Sequence, residues 1–351
     1  MKAIWIIYLL LFGYAWNLWA QEEPDENAMV DTLIINEDLF EDESPMVLTL
    51  TFDIKSYQRQ KHKGEYMPAE LTYHVSDSMD IEKKIRIKAR GNFRRSHCSM
   101  PPFWLNIRKS DVQNKLLQDV VRMKVVTHCN AGKASSMYVL KEYLAYKIYT
   151  ILSPYSFRVR LVKMVYVDTG RKNRRTENWA FIIEPESMMV KRNGGFIIKN
   201  DMLSMRHMIP EHMDRVAMFQ YMIGNADYSI AGRQNIKIMG LEERIPEGFI
   251  PVPYDFDYSG IVDAYYAIPG ENLGIESVRE RYFLGACRTE ADHEKTIEYL
   301  LDYRDEMYAY IGSFPYLEEN RKNELVYYLE EFYKMTSGPG FISREIESTC
   351  R

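Results

Sequence analysis

Five short runs follow one another between residues 46 and 126: MVLTLTFDI, AELTYHV, KKIRIKARG, FWLNI and VVRMKVV. Each alternates apolar with polar residues or runs apolar, and each is rich in β-branched and aromatic side chains, the pattern of strands. So many strands with little more than turns between them commit the first half of the chain to a sheet system. One helix is expected within it. ASSMYVLKEYLAYKIYTIL, 134 to 152, places Val139, Tyr143, Tyr146 and Tyr149 to Ile151 at helical spacing, with Ser135 or Ser136 to cap it and Pro154 beyond its end. FRVRLVKMVYVD and NWAFIIE add two more strands, and the basic RKNRR between them reads as a solvated hairpin loop.

Beyond about residue 185 the period changes. PEHMDRVAMFQYMIG, 210 to 224, is an amphipathic helix with Val216, Phe219, Gln220 and Ile223 on one stripe, and further helices fit 291 to 311 and 317 to 334. The expected class is α+β, with a β-rich half over 46–185 and a mainly helical half over 186–351. Two such halves make a natural cleft.

Residues 1–20, MKAIWIIYLLLFGYAWNLWA, have the layout of a secretory signal peptide cut at Ala20–Gln21. An uncleaved anchor is the alternative, for which the run is barely long enough. The expectation is an exported protein, periplasmic or extracellular, with no stable membrane span after cleavage. Residues 21–45 hold ten acids and no base, and read as a solvated, disordered leader. Removing Lys2 takes the net charge from −5 to −6, and removing ten acids then leaves 46–351 at +4. A mildly basic body suits anionic ligands without being a nucleic-acid signature. In a chain that is 46% hydrophobic, that body can bury one large core or two lobes.

Cys98, Cys129, Cys287 and Cys350 allow disulfides in an exported protein, but the spacing does not give the pairing. For His97-Cys98 and His128-Cys129 the readings are a Cys98–Cys129 disulfide, buried thiols, or a zinc site.

The densest chemistry lies in GNADYSIAGRQNIKIM, 224 to 239, and PVPYDFDYSG, 251 to 260. NIKIM and GFIPVPY read as an antiparallel hairpin in which Met239 faces Pro251 and Asn235 faces Asp255, with Asp227 arriving on the preceding loop. Mg²⁺ takes a few carboxylate or amide oxygens together with phosphate oxygens. Phosphoryl transfer needs such a metal and a separate carboxylate to take the proton of the attacking hydroxyl. Asp227 fits the base, and Asn235 with Asp255 the metal ligands. Acids and amides at strand ends serve as turn formers or caps in the plainer reading.

The chain also resembles the spore-coat CotH-type kinase-like family of secreted atypical protein kinases. The resemblance spans residues 84 to about 300 and rests on five pieces in order. They are IRIKARGNFRR, MKVVTHCNAGKASSMYVLKEYLAYKIY, NWAFIIEPES, GNADYSIAGRQNIKIM and PVPYDFDYSG. It implies a two-lobed kinase-like fold, ATP and Mg²⁺ as cofactors, and a protein substrate in the exported compartment. It implies Asp227 as catalytic base and Asn235 and Asp255 as metal ligands, with Asp257 a second contact or else a cap on the turn into YSG. It sets Glu184 near the nucleotide. Among Lys88, Arg90 and Lys124, it implies Lys124 first, then Arg90, as phosphate-binding cations.

The chain departs from the family where SHCSMPPFWLNI follows Arg-Gly-Asn in place of lysines, and in the eight positions from Asp227 to Asn235. Those departures leave open an inactive pseudokinase serving as a binding or scaffold protein. A metal-dependent hydrolase lacks the further ligands it would need. Cysteine catalysis at His128-Cys129 is disfavoured because neighbouring side chains diverge.

Overall fold

A computed structural model of the chain describes residues 39–76, 79–107, 122–200 and 202–351. The expected signal peptide and most of the acidic leader lie outside the described residues. The β-rich half is a barrel of seven strands: β1 (Met46–Phe52), β2 (Met67–Ser76), β3 (Met79–Ala89), β4 (Phe103–Ile107), β5 (Arg122–Thr127), β6 (Val159–Asp168) and β7 (Arg174–Ile183). Their order around the wall is β1-β2-β3-β4-β5-β7-β6. Neighbours pair antiparallel except β1 and β6, whose parallel ladder from Met46↔Val162 to Phe52↔Asp168 closes the ring. Closure satisfies the edge groups that an open sheet would leave bare.

Leu50, Ile87, Phe103, Leu105, Val125 and Ile182 fill the barrel. The outer faces of β5, β6 and β7 are also covered, because Val126, Leu161, Phe181 and Ile183 belong to a second core. Strands buried on both faces read as nearly continuous apolar runs, which is the pattern of VRLVKMVYV and WAFII. Two short helices, α1 (Ile54–Gln60) and α2 (Phe93–His97), decorate the barrel. The long helix α3 (Lys133–Leu152) lies between the barrel and the second half, with Leu140, Tyr143, Leu144, Tyr146 and Ile148 buried around its girth. Neither expected serine caps it. Ser135 Oγ accepts from Asn130 N–H (3.3 Å), and Ser136 Oγ donates to Asn178 (3.2 Å).

The second half holds α4 (Glu186–Arg192), β8 (Phe196–Ile197), α5 (Pro210–Met222), β9 (Ile236–Gly240), β10 (Ile250–Pro253), α6 (Glu290–Asp302), α7 (Arg304–Ser313) and α8 (Glu319–Thr336). The expected stripe of α5 is fully buried. The helix expected over 291 to 311 is two helices, broken at Tyr303, where no Pro or Gly marks the break. The Tyr303 ring sits 5.1 Å from that of Tyr299.

Two expectations change. The last residues of the acidic leader are packed, not solvated: Leu39 and Phe40 join the barrel core. Arg160 donates to Leu39 O (3.0 Å) and Asp42 (2.6 Å), and Glu43 bridges Lys147 and Tyr310. Asp42 and Glu43 thus pair with Arg160 and Lys147 on the outside of the barrel and α3. The cysteines form Cys98–Cys129 and Cys287–Cys350. With both sulfurs bridged, the zinc alternative at His97-Cys98 and His128-Cys129 falls away. Among the described residues no group of three or more His, Cys, Asp or Glu gathers to hold a metal ion.

The Cys287–Cys350 bridge spans 63 residues. A closed loop of that length stabilises by about 4 kcal/mol through the denatured chain. Replacing both cysteines by serine is expected to lower the urea midpoint accordingly, and an unchanged midpoint would show that the loop constraint is not felt.

Candidate active site

The site starts at the end of α5. Gly224 has φ +67°, and a Cβ there would lie 2.1 Å from Tyr328 Oη. Gly260 faces the same hydroxyl from the opposing loop, its hypothetical Cβ 2.3 Å away, and its N–H donates to Gly224 O (3.0 Å). Only glycine lets the two loops approach this closely. Just beyond, buried Asn225 donates to Gln220 Oε1 (2.9 Å) and accepts the Asp227 N–H (3.1 Å). Helix α5 thereby delivers Asp227 through a fixed amide pair.

The hairpin is real, but its register differs by one residue from expectation. Met239 pairs with Ile250, so Asn235 lies opposite Tyr254, whose N–H donates to Asn235 O (3.0 Å). A slip of one residue in a regular ladder would send Asn235 and Asp255 to opposite faces. Here the alternation ends before them: Asn235 has φ +51° and Asp255 φ +67°. Those left-handed residues turn the side chains, and Asn235, Asp255 and Asp227 line one cavity of about 620 Å³. Arg90, Arg233 and Asp257 line it too.

Asp227 accepts Asn235 Nδ2 at Oδ2 (2.9 Å) and Gln234 Nε2 at Oδ1. Burial, helped by the Asp255 carboxylate, pushes it up to about 6. Asn235 Nδ2 also donates to Asp227 O (2.7 Å), which commits the amide nitrogen, and among the described residues its Oδ1 has no hydrogen-bond partner. Among the described residues the Asp255 carboxylate has no hydrogen-bond partner, while its backbone N–H donates to Tyr146 Oη (2.8 Å). The unpartnered oxygens of an amide and a carboxylate suit Mg²⁺ shared with phosphates, not an all-protein cage.

Behind them lies a buried ionic group that reading the sequence missed. Arg94 is 3.8 Å from Asp257 and 3.6 Å from Glu142 of α3, and Tyr266 Oη donates to Asp257 (3.0 Å). Burial pushes Glu142 and Asp257 up, each also repelled by a neighbouring acid, and Arg94 only partly offsets this. Asp257 is therefore engaged with Arg94 and Tyr266 and does not cap the turn that follows. Glu142 was detectable: it lies three residues after Val139 and four before Tyr146, a charge on the apolar stripe.

The expected cations separate. Arg90 lines the cavity, whereas Lys124 has its Nζ 4.6 Å from the Tyr254 ring and 3.9 Å from Glu186. Burial, then Arg90, lowers Lys124 to about 8. Lys88 sits over the Tyr66 ring at 4.8 Å. Glu184 lies outside the cavity lining and is held by Arg158 (2.8 Å) and Arg192 (3.1 Å).

No family model matches the chain, and no curated protein does. Among solved structures it is similar to the Helicobacter pylori proinflammatory kinase CtkA, at 10% identity over 70% of this chain and 90% of that one, with a TM-score of 0.40. A likeness this distant establishes neither the fold nor the activity of this chain.

The raised Asp227 has a consequence for stability. A carboxyl raised on folding holds its proton more tightly in the fold, so its contribution is present below the unfolded value of 3.8 and is lost as pH rises through about 6. Asp227→Asn is expected to melt a few degrees above wild type at pH 8 and level with it at pH 4, both in chelator. Equal melting at both values would mean Asp227 is not desolvated.

Proposed function

We propose that the chain is an exported ATP- and Mg²⁺-dependent protein kinase, two-lobed and kinase-like, that phosphorylates Ser or Thr hydroxyls of a secreted or surface protein. The observation that carries this reading is the single cavity in which Asp227, raised by burial, stands beside the free oxygens of Asn235 and Asp255. Arg90 comes from the β-rich half and the acids from the helical half, so the cavity has the make-up of a cleft between lobes. The signal-like residues 1–20 and the two disulfides support export.

In the proposed step the acceptor oxygen bonds to the γ-phosphorus while the bond to the β,γ-bridging oxygen breaks. The electron pair leaves with ADP, and the hydroxyl proton passes to Asp227. Asn235 and Asp255 would hold Mg²⁺, which would neutralise phosphate charge there. Arg90 balances further charge from the opposite wall, and Asn235 Nδ2 keeps Asp227 turned inward.

A second reading, a nucleotide-binding scaffold that transfers poorly, is favoured by Gln234, whose amide occupies Asp227 Oδ1. The two differ in turnover, not in binding.

Thermal unfolding with ATP, with Mg²⁺ and with both tests the cavity. A ligand at a hundred times its Kd adds about 2.7 kcal/mol. Wild type is expected to shift only with both present, and Asp255→Ala not at all. Transfer of labelled phosphate from ATP to a protein acceptor, reduced at least a hundredfold in Asp227→Asn, is the kinase outcome. Binding without transfer identifies the scaffold, and no shift under any condition sinks both readings.

A further inference from the structure

Asp227 lines a second cavity as well. It has a volume of about 500 Å³ and shares Asp227, Gln234 and Tyr258 with the first. The two differ sharply in chemistry. The first is lined by Arg90, Arg94, Arg233, Asp255 and Asp257 as well as Asp227. The second sets Ile268, Leu273, Ile275 and Leu284 beside the uncharged polar Ser204 and Asn272, and among the described residues its charged lining is Asp227 and Arg351.

We propose that the second cavity is the acceptor site and takes a peptide Ser or Thr hydroxyl flanked by uncharged, apolar residues. This rests on the phosphotransferase reading and adds the substrate class to it. The base must reach the attacking hydroxyl and the phosphate-side ligands at once, and Asp227 is the carboxylate common to both cavities. Acceptor O–H enters from the apolar side, its oxygen bonds the γ-phosphorus, its proton passes to Asp227, and ADP departs with the bridging oxygen's electron pair. A charged residue beside the hydroxyl would lose its water in a cavity whose charged lining, among the described residues, is Asp227 and Arg351. An apolar one would bury its surface there. Ile268, 73% exposed, extends the apolar lining outward, giving a chain longer than one side chain a surface to lie on.

The test uses the full chain, labelled ATP and Mg²⁺, and three synthetic peptides with one serine each. The serine is flanked by leucine and valine, by glutamates, or by lysines, and 3-methylbutanol serves as a free apolar alcohol. The apolar peptide is expected to have a kcat/KM at least about tenfold above either charged peptide and above the alcohol. Ile275→Lys is expected to raise its KM about tenfold with a much smaller change in kcat. If that variant loses its ATP-and-Mg²⁺ thermal shift, Leu273→Lys takes its place. Preference for a charged peptide, equal use of the free alcohol, or an unmoved KM in the lysine variant overturns the proposal while the transferase reading stands. Wild type that shows no nucleotide shift overturns both.

Discussion

The site depends on one helix being buried on every side. α3 is wedged between the outer face of β5, β6 and β7 and the helices of the second half, with Leu144, Tyr146 and Ile148 each at most 1% exposed. A helix packed all round has no freedom to roll without opening a core on one face or the other. It carries Glu142 and Tyr146 one turn apart, on the same side. Tyr146 fixes the Asp255 backbone, with its ring 4.7 Å from Phe256, and Glu142 reaches Arg94. The helix that unites the two cores thus also sets the distance between the barrel's Arg94 and the acids of the second half.

That arrangement has an electrostatic cost. Glu142 and Asp257 are both at least 95% buried and share one buried guanidinium, so full ionisation leaves a negative charge where there is little water. Burial and the neighbouring acids raise both carboxyls, while Tyr266, donating to Asp257, works the other way and favours its ionised form. Replacing such a group with apolar side chains of equal volume is often neutral or stabilising. Its presence beside Asp255 is better explained by placing the loop that carries the candidate ligands than by stability.

Particular residues show how far the sequence was legible. The strands around Leu48, Leu105 and Phe181 were readable because alternation and β-branching are local. The closure of β1 on β6 was not, since a parallel contact between distant strands leaves no local mark. The gathering of Asp227, Asn235 and Asp255 was readable from a hairpin argument, yet its register was one residue off. The argument assumed regular extended backbone to the end of both strands, and a positive φ at Asn235 and Asp255 cannot be seen in a pattern of side chains. Strand position shows which face Lys124 takes, not that its Nζ would lie over the Tyr254 ring and reach Glu186 at 3.9 Å.

The backbone around the cavity carries the last part of the argument. Arg233, Asn235 and Asp255, non-glycine residues with φ between +51° and +67°, all line this one cavity. Each such residue costs on the order of 1 kcal/mol and persists only where its surroundings over-determine it. The Tyr254 N–H to Asn235 O bond, the Asp255 N–H to Tyr146 bond and the Asn235 amide on Asp227 are that determination. A fold that needed only a turn there had cheaper conformations available. What the strained turn achieves is to bring an amide oxygen and a carboxylate into one cavity while keeping a second carboxylate between that cavity and its neighbour. The strain therefore supports a chemical role for the site over a purely structural one.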